Sequence, residues 1–491
     1  MALRAPRRPS SSRPEAVTTY VKRNPLLAVF IFATCVWLVL GFWNGHGVAS
    51  YYGWAVFAIL GTKLGLSLIP PRQWDPAPAD LRVGVVITAY NEDPSYLSAC
   101  LDSLLAQTRP ADRIIVVDDC STNLEGHRLA QRYARSHPSV TPVRHTANAG
   151  KRQALATGFD ELQGQVDVFL CVDSDTILEI NAVEEGLAPF SDPRTTATTG
   201  VVVVANHESN LLTRLIDVRY INAFVGERAA YSRLGSVLCV CGSLAFYRAD
   251  VVLRHLDEFL EQTFLGQVAT VGDDRHLTNW CLTEGRVVLA ENAIAHTAAP
   301  QRWGHYIRQQ TRWGRSFFRE SLWVLRHRSP RILAWWLTLV ELAQWLVFSS
   351  ILVYIVIVHP LITGYFLLGE YLLFVAVMAM ARSVRYFDVK RVNQSRSSRL
   401  HSFMVTPVYG YLAIFVMAPL RLWSLLTLRT SVWGTRDKGV EVRASSVSST
   451  LRTAGRPAEV PDPRIDGPEV PVGTAPGLVS DARDTRRAVA V

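Results

Sequence analysis

The chain has 491 residues, of which 49% are hydrophobic, with a formal net charge of +9 and seven cysteines. That apolar content excludes an ordinary soluble enzyme and points to a membrane protein with a water-facing domain. No stripe of basic residues interleaved with aromatics argues for nucleic acid as a partner, so the positive charge is read as serving anionic lipid or an acidic ligand such as a nucleotide diphosphate.

Residues 1–24 carry Arg4, Arg7, Arg8, Arg13, Lys22 and Arg23 and form a basic N-terminus that the positive-inside bias holds in the cytoplasm. Pro25 opens an apolar run, Leu26–Asn44, and Val48–Leu68 follows after a Gly-His-Gly turn, so 25–70 is expected to be a transmembrane hairpin. A cleavable signal peptide fits poorly, because no small-residue cleavage site follows and a second span comes at once. The hairpin returns the chain to the cytoplasm, a reducing compartment in which six of the seven cysteines then lie. No CxxC pair or zinc spacing occurs. Cys239 and Cys241 alternate as on one strand and read as buried free thiols.

From 72 to 300 an α/β domain is expected. The runs at 83–90, 113–119, 168–173, 199–204 and 286–290 are continuously apolar and of strand length, as in strands covered on both faces. Leu97, Leu101, Leu104 and Leu105 have helical spacing behind Pro94. This β-α-β order predicts a mainly parallel sheet with its ligand beyond the carboxyl ends of the strands. Residues 301–330 read as amphipathic interface helices, and 331–430 as a second membrane region with runs at 332–358 and 361–381. Loop 382–400 is strongly basic and is expected to be cytoplasmic. The stretch 402–428 contains Pro407 and Pro419 and is expected to break into a re-entrant pair or to lie in the interface. The tail 444–491 is Ser/Pro/Gly/Arg-rich and is expected to be disordered.

Candidate chemistry lies at the strand ends. In "VDSDT", Asp173 and Asp175 offer two hard oxygens to a Mg²⁺ or Mn²⁺ that also binds diphosphate. Asp118, in "VVDD", is placed to accept hydrogen bonds from a nucleoside or to cap the next helix. Lys151 and Arg152 follow a glycine at a helix start suited to phosphate. Asp273 and Asp274 diverge by about 100° on a helix, so they divide roles. Asp274 is read as the general base, with Asp273 raising its pKa or pairing with Lys151. "QQTRW" supplies Gln309, Arg312 for a pyrophosphate leaving group and Trp313 to stack on a sugar, the alternative being an amphipathic helix lying on the membrane. Glu341 and Gln344 are polar residues within an apolar span, read either as lining a polymer path or as bonding helix to helix.

Taken in order, "TAYNED", "VVDD", "VDSDT", "GDDRHLTN" and "QQTRW", flanked by membrane helices, resemble the processive family-2 glycosyltransferases: hyaluronan, chitin, cellulose and NodC-type chitooligosaccharide synthases. The segments at 227–248, 309–320 and 419–438 resemble hyaluronan synthases in particular, although Cys241-Gly242-Ser243-Leu244 stands where the family usually has Ser-Gly-Pro-Leu. The resemblance implies a GT-A type domain inserted between transmembrane and interfacial helices, acting at the plasma membrane from the cytoplasmic side. It implies that Tyr90 and Asp118 hold uridine, that Lys151 and Arg312 contact phosphates, and that Asp173 and Asp175 bind the metal-diphosphate. Trp313 would be the acceptor platform, and the 431–443 loop with Trp433 and Arg436 a lid over the nucleotide. The donors implied are UDP-GlcNAc and UDP-glucuronate, and the other partners the growing polysaccharide and membrane lipid. A chitin-type product from UDP-GlcNAc alone is the alternative, a non-catalytic transporter or scaffold the remote one. Nothing in the sequence defines an oligomeric state.

Overall fold

A computed structural model describes residues 17–43, 45, 48–392 and 394–429. Its centre is an eight-stranded sheet: β1 (Val83–Ala89), β2 (Arg113–Asp118), β3 (Val140–Arg144), β4 (Val168–Asp173), β5 (Thr176–Leu178), β6 (Thr195–Val204), β7 (Ala245–Arg248) and β8 (Arg286–Thr297). The spatial order is β3-β2-β1-β4-β7-β6-β8-β5. Strands β1 to β4 are mutually parallel, as are β6 and β8, whereas β7 runs antiparallel between β4 and β6, and β5 antiparallel to β8.

All five expected strands are present, and β1, β4 and β6 are buried nearly throughout, which accounts for their lack of polar alternation. Strands β3, β5 and β7 were not foreseen, being short or, in β3, interrupted by Pro142 and arginine. The helix Pro94–Leu105 begins as expected, with Pro94 at its first position and Asp93 accepting from the Ser95 N–H.

Cys239 and Cys241 do not lie on a strand. Their segment is an extended loop whose backbone is satisfied by threonine hydroxyls: Val240 N donates to Thr278 Oγ1 (3.0 Å) and Cys241 N to Thr199 Oγ1 (3.2 Å). All seven cysteines are free.

Among the described residues, three helical runs are long and apolar enough to cross a membrane: Pro25–Trp43, Leu333–Thr363 and Arg396–Leu426. The Val48–Leu68 and Leu368–Arg382 helices pack with the first two in one apolar cluster built on Trp43, Phe57, Ile355 and Phe374. Pro407 and Pro419 do not divide the last run into two half-helices. It continues through a turn at Val405 and a π-helical segment, Ala413–Met417, which absorb the missing amide donors. Gln344 meets Lys63 across two helices (3.5 Å), which favours helix-to-helix bonding for that residue, while Glu341 lies within electrostatic reach of Tyr231 and Arg275.

Half of the basic residues in loop 382–400 are internal partners rather than free surface charge. Arg382 pairs with Glu227, Arg385 bonds Asp388 and the carbonyls of Ser67 and Val225, and Arg391 bonds Asp217. With the short ladder between Thr19–Val21 and Val389–Arg391, these bonds tie the apolar helices to the sheet domain.

Candidate active site

Parallel register brings β1, β2 and β4 to a common edge, with Ala89 opposite Asp118 and Thr88 opposite Asp173. Tyr90 follows β1 there and is half-buried. Asp118 is 3% exposed, takes Arg144 Nε at 2.9 Å and the Ser121 hydroxyl, and lines a small cavity with Ala89, Glu92, Asn123 and His127. It therefore holds the following turn through Ser121 and faces a cavity, but it does not cap the next helix, Glu125–Ser136, which starts after Leu124 without a side-chain cap. Its neighbour Asp119 is structural: its carboxylate accepts the amides of Ala149 (2.9 Å) and Gly150 (2.8 Å) and the Nδ1 of His145 (2.8 Å). These bonds hold Gly150 at φ +89°, a left-handed turn that sets the start of the Lys151–Glu161 helix.

Lys151 is thereby aimed into a second cavity, lined by Thr88, Asp173, Gly242, Tyr247, Asp273 and Asp274. Its Nζ lies 2.6 Å from Asp173 Oδ1 and 3.7 Å from Asp273 Oδ2. Burial would lower the Lys151 pKa, but the two carboxylates outweigh it and raise it, so the ammonium is charged throughout the physiological range. Arg152 points away, bonded to Phe259 O, Gln262 and Val271 O, and is not available for phosphate. Ser243 Oγ holds the other oxygen of Asp173 (2.8 Å). A Cβ on Gly242 would stand 3.4 Å from Lys151 Nζ and 3.9 Å from both Asp173 oxygens, so glycine keeps this space open for a ligand.

Asp274 opens the Asp273–Glu284 helix one residue after Asp273 and faces differently: Oδ1 accepts the Arg275 amide (2.7 Å) and Oδ2 lies 3.8 Å from Cys239 Sγ. Burial, then the charge of Asp273, raises its pKa, with Lys151 and Arg275 opposing. A half-buried carboxylate of raised basicity beside a cation-bridged pair has the properties that general-base chemistry requires.

The turn before this helix depends on Gly272, at φ +87°, where an added Cβ would come within 2.4 Å of Ser316 Oγ and 3.1 Å of Arg319. Gly272→Ala is expected to cost about 1–3 kcal/mol from backbone strain and to lower transfer, read by thermal unfolding and by turnover. Behind it, Glu320 is fully buried and bonds His276 Nδ1 (2.8 Å), Gln262 Nε2 (3.0 Å) and Asn279 Nδ2 (3.4 Å). Burial would raise Glu320, but His276, Arg319 and Arg152 hold it down at about 2. This network joins the Asp273–Glu284 helix to Trp303–His327, a single 25-residue helix rather than several.

Asp173 and Asp175 do not share a strand: Asp173 ends β4, and Asp175 sits in the turn before β5. The charge of Asp175 reaches both the Cys100 thiol and the Tyr220 phenol. The donor chemistry fits a hard divalent ion, with one carboxylate at the end of β4 and one in the turn after it, although Lys151 and Ser243 hold the two Asp173 oxygens in this structure. Among the described residues no group of three or more His, Cys, Asp or Glu could hold a metal, so diphosphate and water oxygens would have to complete the shell.

On the Trp303–His327 helix, Gln309 and Arg312 are half-buried, and Trp313 is 37% exposed. The Trp313 ring lies 6.3 Å from that of Tyr220, whose phenol feels the charge of Asp175. Trp433 and Arg436 lie outside the described residues.

Residues 84–256 match the glycosyl transferase family 2 model. Over 423 residues the chain is 37% identical to a hyaluronan synthase of Streptococcus pyogenes, covering 85% of this chain and 98% of that protein. The chain belongs to the hyaluronan synthase family. It is also 34% identical over 394 residues to an N-acetylglucosaminyltransferase of Neorhizobium galegae, covering 77% and 86% of the two chains. A mannosyltransferase of Pyrobaculum calidifontis, solved with GDP-Man and Mn²⁺, shares the fold with TM-score 0.50 at 18% identity, covering 79% of this chain and 98% of that one. The sheet domain of this hyaluronan synthase family member is a GT-A glycosyltransferase domain, and the chain is a membrane-bound glycosyltransferase.

Sequence reading noted Gly242 and Ser243 only as part of a departure from the family pattern, and passed over Tyr220 and the Glu320 network. Only Glu320 had a legible signal, an acid on a helix face otherwise aromatic and basic; the others are brought in by tertiary packing.

Proposed function

We propose that the protein is a processive, inverting polymerase that takes UDP-GlcNAc and UDP-glucuronate alternately to make hyaluronan. It works from the cytoplasmic face of the plasma membrane and passes the growing polysaccharide outward among its helices. The observation that carries this reading is the convergence of Asp173, Asp273 and Lys151 in one cavity with the raised carboxylate of Asp274 alongside. The length of the match to a curated hyaluronan synthase supports the substrate pair.

In this mechanism Asp118 and Tyr90 receive the uridine at the sheet edge, while Lys151 and Arg312 contact the phosphates. Asp173 and Asp175 would hold Mg²⁺ or Mn²⁺, which supplies charge to the diphosphate. Trp313 stacks the acceptor sugar, and Asp274 takes the proton of its hydroxyl as the oxygen attacks the anomeric carbon from the face opposite UDP. Lys151 moves from its carboxylates toward the departing diphosphate and stabilises the charge that develops there. One displacement converts an α-linked donor into a β-linked product. Gln309 orients the acceptor, and Trp433 and Arg436 close over the nucleotide.

Purified full-length protein given both donors is expected to make polymer that hyaluronidase degrades, with no long product from UDP-GlcNAc alone. Long hyaluronidase-resistant polymer from UDP-GlcNAc alone would instead establish a chitin-type synthase, in keeping with the N-acetylglucosaminyltransferase relatives.

A further inference from the structure

The acceptor side of Trp313 holds two guanidinium groups that no carboxylate balances. Arg219 NH1 bonds the Gln310 side-chain carbonyl and lies 3.4 Å from Tyr306 Oη, and its guanidinium stands 5.8 Å from the centre of the Trp313 ring. Arg421 belongs to the Arg396–Leu426 run. Met417 and Ser424 of that run both touch the Trp303–His327 helix, Met417 Sδ at 3.5 Å from Tyr306 Oη and Ser424 Oγ at 3.3 Å from the Thr311 carbonyl. Positions 417, 421 and 424 share one helical face, so Arg421 is directed at the same stretch from Tyr306 to Trp313. Among the described residues neither arginine forms an ion pair. The acid that Arg421 feels, Glu227, is already bound by Arg382, and Arg219 and Arg421 repel each other. Arg219 is half-buried and Arg421 exposed, so both are open to an anion arriving beside Trp313, and a guanidinium matches a carboxylate with two parallel N–H donors.

We propose that Arg219 and Arg421 form a carboxylate subsite that grips the uronic acid of the nascent chain while a neighbouring sugar lies on Trp313. The inference rests on the copolymer reading above, because a neutral homopolymer offers nothing for two cations to bind. It assigns these residues to sorting acceptors: a chain ending in an acidic repeat is retained, and a neutral one is not.

The experiment uses the full chain in zwitterionic lipid nanodiscs and compares binding of a glucuronate-containing tetrasaccharide with the same tetrasaccharide after carboxyl reduction. The wild type is expected to prefer the acidic form by at least about tenfold, the scale of a hydrogen bond to a charged group. Arg421→Gln and Arg219→Gln should each remove most of that preference, and Arg421→Lys should restore part of it. Because Arg219 also braces Gln310 and Trp313, the Arg421 variants decide the outcome should Arg219→Gln fold poorly.

Equal binding of the two tetrasaccharides by the wild type, or an undiminished preference in Arg421→Gln, overturns the proposal. So does an Arg421→Gln protein altered only in its response to nanodiscs containing phosphatidylglycerol, since the arginine would then serve lipid. Failure of the copolymer reading is separately visible as polymer made from UDP-GlcNAc alone by the wild type.

Discussion

Asp274→Asn is expected to lower sugar transfer by about 10²–10⁴-fold while UDP binding is retained. The amide keeps the size of the carboxylate and an oxygen to accept the Arg275 amide bond, so the helix start should survive. What is lost is the proton acceptor. The Lys151 contacts with Asp173 and Asp273, which serve the diphosphate side, stay in place. The pH profile gives an independent reading. Burial and Asp273 push Asp274 upward, so the acid limb of kcat/KM should lie above the ordinary aspartate value of about 4. Removing the neighbouring negative charge with Asp273→Asn should move that limb down. Normal polymer from Asp274→Asn, or a limb that ignores Asp273→Asn, would remove Asp274 from the role of base.

Glu320→Ala is expected to destabilise the domain by about 3–5 kcal/mol, because it strands buried Arg319 and His276 without their acid. Loss of transfer should accompany the lowered unfolding temperature even though Glu320 touches no substrate, since the network positions the Asp273–Glu284 helix against the helix that carries Trp313. Its pH signature has a definite sign. Held at about 2 in the fold against 4.5 for a free glutamate, the Glu320 carboxylate contributes stability that is full above about pH 4.5 and is lost as pH falls toward 2. Unfolding midpoints measured across that window should fall more steeply for the wild type than for Glu320→Ala. Parallel pH curves for the two proteins would show that Glu320 is not the group that holds the network.

The strand assignments were legible because β1, β2 and β4 are apolar without interruption, the pattern that burial on both faces imposes. The acids were legible because each follows such a run or opens the next helix: Asp118, Asp173 and the Asp273–Asp274 pair. Charge was a weaker guide. The basic residues of loop 382–400 looked like a topology signal, yet Arg385 and Arg391 are buried partners of Asp388 and Asp217, more than 150 residues away from the loop in the latter case. Arg152 likewise shares a helix start with Lys151, but its side chain is drawn into the domain by Phe259, Gln262 and Val271.

Amino-acid order alone determined the strand ends that bear the acids and the apolar runs that anchor the chain, because these are carried by local composition and by the periods of helix and strand, while the class of chemistry came from the resemblance of the motif set to a known family. Tertiary structure decided which carboxylate pairs with Lys151 and which is left half-buried with raised basicity, which arginines are neutralised, and that Tyr220 stands beside Trp313. The reason is physical: a side chain's pKa and its partners depend on what other segments bring within a few ångströms of it, and that information is spread over hundreds of residues rather than written beside the group it controls.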